Sequence, residues 1–440
     1  MKVIKAYRTS EDEHFACLKE LPPLTKAKPT LRLGDSFGPV FRGFGGAITE
    51  ASAYVLSLMD EEQRNEVLQR YYGKDGLNYC LGRVAIGSSD FALGSYDYLE
   101  GEDRSLNSFS LRHEERYLFP VLDAIKAIRG QSLTLLASPW SPLSWLKDNH
   151  DVCHGGHLLK KDYPLWAEYE CRYIEEMAKR GFPIAMISIQ NEPAAVQVWE
   201  SCIYSPVDEA EFALVLRDKL NQHGFKNVGI YIWDHNRDLI RERAAKTLAS
   251  PEVNEAVAGI AFHWYVSEDF AQVRLTHEDH PDKHLLFSEG CIETVNQSGV
   301  KMGDFRSAER YARNMLGDLS SFADGWIDWN IVLDEEGGPN HVGNYCEAPV
   351  QYLRKNHSLL FNHSFFAIEQ FAHFIQPGAK RIALEDTLSL PGVAFQNPDG
   401  TIALVFLNET SAQTSEVLSL SSSSCFLVLK PHSITTYLFG

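Results

Sequence analysis

Two short segments carry the residues best suited to chemistry. Asn191-Glu192-Pro193 follows the apolar run 184–190, and Phe287-Ser288-Glu289-Gly290-Cys291 closes the run 285–289. A carboxylate at the end of an apolar strand is costly to desolvate unless a partner or a reaction uses it. Two carboxylates facing one cleft are the machinery of glycoside hydrolysis. One carboxyl protonates the leaving oxygen. In the retaining route the other attacks the anomeric carbon and forms a glycosyl-enzyme, with the two groups about 5–5.5 Å apart. Either glutamate alone reads as a solvated loop carboxylate, since Glu is mostly exposed. Two of them in matching places point to chemistry.

Those places depend on the elements that hold them. Apolar runs at 42–49, 80–87, 132–138, 184–190, 228–233, 257–264, 285–289 and 325–333 are bounded by Gly, Pro and Asn. They suit strands buried on both faces of a parallel sheet. Between them lie amphipathic stretches. In 162–180, Trp166, Tyr169, Tyr173 and Met177 recur at three and four, with Gly181 as a stop. Segment 208–223 carries a Phe212, Leu216, Leu220 stripe before Gly224, and a helix over 366–375 precedes Pro377. Eight alternating units predict an α/β fold, a (β/α)8 TIM barrel, whose reactive residues gather at the C-terminal ends of its strands.

The tail reads differently. Segments 392–397, 401–408, 424–430 and 433–439 predict antiparallel strands, the first two joined by a turn at Asn397-Pro398-Asp399-Gly400. The residues before Phe41 also resemble short strands. The expected layout is a barrel over 41–378 and a side β-sandwich domain formed from the N- and C-terminal segments 1–40 and 379–440.

Composition narrows the partners. With 59 acidic and 41 basic residues the net charge is −18, which disfavours nucleic acid and anionic membranes, since both need a basic footprint. No stretch approaches the roughly 20 apolar residues of a membrane span. The first residues lack the apolar core of a secretory signal. The eight cysteines form no CxxC pair. Together these predict a cytoplasmic protein with reduced thiols. Cys153-His154 with His157 lacks a full ligand set for a metal, and Gly43-Phe44-Gly45-Gly46 is no phosphate loop, because no GKS or GKT follows. No metal and no cofactor are expected.

Several further segments are similar to glycoside hydrolase family 30, and most resemble its acid β-glucosidase (glucosylceramidase) branch. They are Gly43-Phe44-Gly45-Gly46-Ala47, Arg83 with Ser89-Asp90-Phe91, Ala137-Ser138-Pro139-Trp140, Trp145-Leu146-Lys147, His263-Trp264-Tyr265, Gly325-Trp326-Ile327-Asp328-Trp329-Asn330 and Gly337-Gly338-Pro339-Asn340. The resemblance implies that Glu192 is the acid/base and Glu289 the nucleophile. It implies that Asp90 accepts from the distal hydroxyls of the terminal sugar, and that Asn191 bonds its 2-OH. Arg83 is expected to support the nucleophile from behind, and His263 either does the same or is a core histidine. Asp234 and His235 are expected at the pocket rim, Asn344 near the sugar's 6-position, and Tyr265 in the pocket. Strand alternation assigns Trp140 and Trp329 to the sugar and turns Trp326 away. Two carboxylates in one partly dry pocket cannot both ionise easily, so the acid is expected to carry a raised pKa.

The function this predicts is a retaining exo-β-glycosidase, a β-glucosidase acting on a small β-linked glucoside or short oligosaccharide. Within the family, β-xylosidase, β-fucosidase, β-1,6-glucanase and glucosylceramidase are alternatives; outside enzymes, a carbohydrate-binding protein. The absence of an export signal or membrane-binding patch argues against a lipid substrate.

Overall fold

The computed structural model describes residues 2–293, 302–385, 390–420 and 423–440. Eight parallel strands close into a barrel: β1 (Phe44–Ala47), β2 (Leu81–Ile86), β3 (Thr134–Pro139), β4 (Ile184–Ser188), β5 (Gly229–Asn236), β6 (Val257–His263), β7 (His284–Glu289) and β8 (Gly325–Asn330). Neighbours pair in chain order, and β8 closes on β1 through Trp326↔Phe44 and Ile327↔Gly45. Helices on the outside bury the predicted stripes. Tyr163–Lys179 hides Trp166, Tyr169, Tyr173 and Met177. Pro206–Gln222 hides Phe212, Leu216 and Leu220 and starts with a reciprocal Ser205/Asp208 capping box. The last helix begins earlier than 366, at His363, behind Asn362.

The barrel interior is layered, and the layering follows from the two-residue period of a strand. Leu81, Leu136, Met186, Tyr231, Ala261, Leu286 and Ile327 form one apolar tier. Two residues further along their strands come Arg83, Ser138, Ser188, His263, Ser288 and Trp329, all buried. A mostly polar tier therefore lies directly above the apolar one and becomes the floor of whatever sits at the barrel mouth.

Two strands depart from the sequence prediction. The eighth run does not continue to 333. It ends at Asn330, and Val332–Asp334 joins a separate small sheet with Val350–Leu353. The fifth runs three residues longer than 228–233. Its register against β6 shifts between Ala261↔Trp233 and Phe262↔His235, leaving Asp234 as an extra residue. Trp233 (φ 70) and Asp234 (φ 45) both hold left-handed backbone there, the mark of a β-bulge. Alternation from Tyr231 would aim Trp233 inward. The bulge sends it out over Arg243 and puts Asp234 in its place.

The side domain is a two-sheet sandwich. Its larger sheet orders Glu13–Cys17, Val3–Ser10, Ser433–Phe439, Ile402–Asn408, Gly392–Gln396, Lys380–Glu385 and Arg32–Val40. Both ends of the chain thus meet in one sheet, with Tyr7 opposite Thr436. The smaller sheet holds Leu24–Thr25, Thr414–Ser419 and Ser424–Leu429. Ala6, Leu31, Leu404, Phe406, Leu418, Leu427 and Phe439 fill the space between. The predicted turn at 397–400 is present, with Gly400 at φ 86.

Candidate active site

A cavity of about 950 Å³ opens at the C-terminal ends of the barrel strands. Glu192 and Glu289 both line it, with Asp90, Trp140, Asn191, His235, Tyr265, Trp329 and Asn344. Nine of the residues singled out from the sequence therefore share one space. Three others, Arg83, Asp234 and His263, lie beneath its floor.

Glu289 ends β7 and its two oxygens are held separately. Oε2 accepts a hydrogen bond from Arg83 Nη1, and Oε1 accepts one from Tyr265 Oη at 2.8 Å. Arg83 is fully buried. Its other nitrogens reach Asn191 Oδ1 (2.7 Å), Asp234 Oδ2 (2.9 Å) and Ser138 Oγ (3.1 Å). A guanidinium suits this place because its rigid fork feeds several acceptors at once. Trp140 and Trp329 stack on each other, centroids 5.4 Å apart, and both cover the guanidinium. The same two indoles thus roof the charge network and wall the cavity.

Asp234 is not at the rim. The bulge in β5 drives it into the polar tier, where it is wholly buried. Oδ2 accepts from Arg83 and from Ser138 Oγ (3.0 Å). Oδ1 accepts from Ser288 Oγ (2.6 Å) and pairs with His263 Nε2 (3.1 Å). Burial works against its charge, but Arg83, His263 and Ser288 outweigh it and hold the carboxyl well below the usual range. It is closed off from the cavity and bonds Arg83, Ser138, His263 and Ser288 instead.

Glu192 sits on strained backbone, φ 48, with its N–H donated to Asp234 O at 2.9 Å. Non-glycine residues in this region persist where the surroundings over-determine them, often at functional sites. Its Oε1 faces two imidazoles, His263 Nδ1 at 3.2 Å and His235 Nδ1 at 3.5 Å. The expected raised pKa is not found. Burial does push that way, but the charges and hydrogen bonds of His235 and His263 win and hold Glu192 well below the carboxylate range. The imidazole moves oppositely. Burial opposes charge on His263, yet Glu289, Asp234 and Glu192 raise it to about 9. The proton of this cluster therefore rests on the histidine side.

Asp90 lines the cavity and is buried. Oδ2 accepts from Asn340 Nδ2 (3.1 Å) and Asn344 Nδ2 (3.0 Å). Among the described residues no hydrogen bond reaches Oδ1. Burial, opposed by Asn344 and reinforced by the charge of Glu289, pushes its pKa up to about 7. Asn344 thus anchors Asp90 while lining the cavity. Asn340, quoted above only as part of a motif, does the same from behind.

The remaining candidates sort plainly. Trp326 lies outside the sugar space, stacked on Phe287 at 3.6 Å. Trp264 donates its N–H to Cys291 O. His154 and His157 are exposed and pair with Asp151 and Asp148. Ser138 and Ser288 went unrecognised as site residues. Their signal was position, two residues after Leu136 and Leu286 on the inward face.

A closed (β/α)8 barrel, carboxylates just after β4 and at the end of β7, and a side sandwich together define a TIM-barrel glycoside hydrolase. Comparison with known proteins agrees. Residues 41–375 match the glycosyl hydrolase family 30 TIM-barrel domain and residues 378–437 the family's β-sandwich domain. The chain belongs to glycosyl hydrolase family 30 and is a glycosidase. It is 30% identical to a putative glucosylceramidase 4 of Caenorhabditis elegans, covering 94% of this chain and 84% of that one. The structure of SrfJ from Salmonella typhimurium superposes with a TM-score of 0.92 at 33% identity, over 99% of both chains. An endo-β1,6-glucanase structure gives 0.90 at 25% identity, over 100% of this chain and 99% of that one.

Proposed function

We propose that this glycosidase is a retaining exo-β-glucosidase working by double displacement. Glu289 attacks the anomeric carbon as Glu192 gives a proton to the leaving oxygen. Glu192 draws that proton from His263, 3.2 Å away, then takes one from the water that hydrolyses the glycosyl-enzyme. Arg83 and Tyr265 hold the nucleophile's two oxygens in a fixed direction, so little reorganisation accompanies attack. Asn191, held by Arg83 beside Glu192, meets the sugar 2-OH.

One observation carries the exo reading. Asp90 is a buried carboxylate lining the cavity, with Oδ2 occupied by two amides and Oδ1 left to accept from a sugar hydroxyl. A buried acceptor built for hydroxyls discriminates strongly, because a sugar lacking them leaves it unpaired. The cavity is also lined by Glu293, Arg306, Glu309, Arg310, Arg313 and Glu409. Such walls suit a hydrophilic aglycone better than two acyl chains, which supports small β-glucosides over glucosylceramide. The likeness to an endo-β1,6-glucanase favours a second reading, cleavage within β-1,6-glucan.

A panel of 4-nitrophenyl β-glycosides with β-1,6-glucan separates these. The expected result is fastest release from the β-glucoside over the β-xyloside, β-fucoside and β-galactoside, with glucose alone released from oligosaccharides. Oligosaccharide products from β-1,6-glucan, with little turnover of any aryl glycoside, would favour the endo reading instead.

A further inference from the structure

The carboxylate of Glu192 and the two imidazoles beside it have the makings of a metal site. Glu192, His235 and His263 each bring one ligand atom within 4.8 Å of the other two, and Oε1 of Glu192 faces Nδ1 of both rings. Two of the separations are 3.2 and 3.5 Å. A tetrahedral zinc ion with bonds of about 2.0–2.2 Å has edges between ligand atoms of about 3.3–3.6 Å. Two edges are already close to this, and the third is no longer than 4.8 Å.

The surroundings complete the resemblance to a built site. His263 gives its other ring nitrogen to Asp234 Oδ1 at 3.1 Å, and Asp234 is itself fixed by Arg83, Ser138 and Ser288. A carboxylate behind a histidine sets the ring's direction, so Nδ1 is aimed at the ion once the ion displaces the proton between it and Glu192. Asn236 Nδ2 lies 3.2 Å from His235 Nδ1, so an ion there displaces one weak donor. Glu192 and His235 both face the cavity, which leaves room for a water as fourth ligand. Two imidazoles and one carboxylate select a borderline d-block cation over Mg²⁺ or Ca²⁺.

We infer that Glu192, His235 and His263 form a binding site for a divalent d-block cation of the zinc type, and that its occupation switches the enzyme off. An ion on Oε1 takes the lone pair that must carry the proton. The inhibitory half of the inference rests on Glu192 being the acid/base; the binding half does not. The competing ligands in the same cavity are the thiols of Cys291 and Cys346.

The test uses the full chain freed of metal with EDTA and dialysed. ZnCl₂ is titrated by calorimetry and, in parallel, against hydrolysis of 4-nitrophenyl β-glucoside. The expected result is one Zn²⁺ per chain, a loss of rate that tracks occupancy, recovery with EDTA, and no response to MgCl₂. His235→Asn and Glu192→Gln, each checked for folding by circular dichroism, should weaken Zn²⁺ binding at least about tenfold. Cys291→Ser should leave the affinity as it is. No stoichiometric binding, an affinity unchanged in both the His235 and Glu192 variants, or one lost in Cys291→Ser would overturn the site. Binding at the triad with no loss of rate would overturn the switch. A metal-free enzyme that hydrolyses no glycoside would count against the proposed function and leave the binding titration standing.

Discussion

Replacing Glu289 with glutamine is expected to lower kcat on 4-nitrophenyl β-glucoside by about 10⁵-fold, the scale on which losing a covalent nucleophile is felt. The amide matches the carboxylate in shape, so far-ultraviolet circular dichroism should not change. It cannot attack carbon, and it meets Arg83 and Tyr265 Oη with only one acceptor oxygen where both donors now find one each. Residual activity within about tenfold of the parent would sink the assignment. Glu192→Gln should behave differently. On a leaving group that needs a proton, the loss should be about 10²–10⁴-fold, the worth of general acid catalysis. On 2,4-dinitrophenyl β-glucoside, whose phenolate leaves unaided, formation of the glycosyl-enzyme should be nearly as fast as in the parent. Equal losses on both substrates would place Glu192 outside proton transfer.

The second large effect concerns stability. Arg83→Met keeps most of the side-chain volume and removes the one guanidinium that faces both Asp234 and Glu289. Both the Arg83 and Asp234 side chains are fully buried. Breaking a buried ion pair from one side costs about 3–5 kcal/mol, because the remaining charge is left without a partner. Asp234 would keep Ser138, Ser288 and His263, which limits the damage to the upper part of the barrel. The expectation is a denaturation midpoint lower by several degrees together with a loss of kcat, since Glu289 loses its fixed direction. Arg83→Lys should recover part of the stability and little of the rate, because an ammonium is a point charge that cannot feed four acceptors in one plane. A midpoint unchanged in Arg83→Met would contradict the network.

Much of this was legible in the residues. The eight apolar runs hold the eight barrel strands, and the carboxylates after the fourth and at the end of the seventh share a cavity because strand ends share a barrel mouth. Trp140 and Trp329 face the cavity and Trp326 faces away, as a two-residue period requires. What escaped depends on local departures from that period. Asp234 was placed at the rim because a regular strand ending at 233 would put it there. One extra residue in the register moves it inward, and no residue type marks that bulge: Trp233 and Asp234 take left-handed backbone without a glycine. The break at Ile331 escaped for a similar reason, since Val332 and Leu333 continue an apolar run while joining another sheet. The protonation of Glu192 was misjudged because two carboxylates were weighed against each other alone. The deciding neighbours are His235 and His263, brought from β5 and β6, whose distance to Glu192 only the fold sets. The tier of Ser138, His263 and Ser288 could have been counted off the strands, two residues beyond each apolar interior position.

The central claim is that Glu289 forms a covalent bond to the sugar. Incubation with 2-deoxy-2-fluoro-β-glucosyl fluoride tests it directly. The fluorine at C2 destabilises the oxocarbenium-like transition states of both steps, while the fluoride leaving group restores the first. The glycosyl-enzyme should then accumulate, and mass spectrometry should find one fluoroglucosyl group per chain, mapped to the peptide that holds Glu289. An adduct on Glu192 or any other residue, or continued turnover with none, would contradict the account.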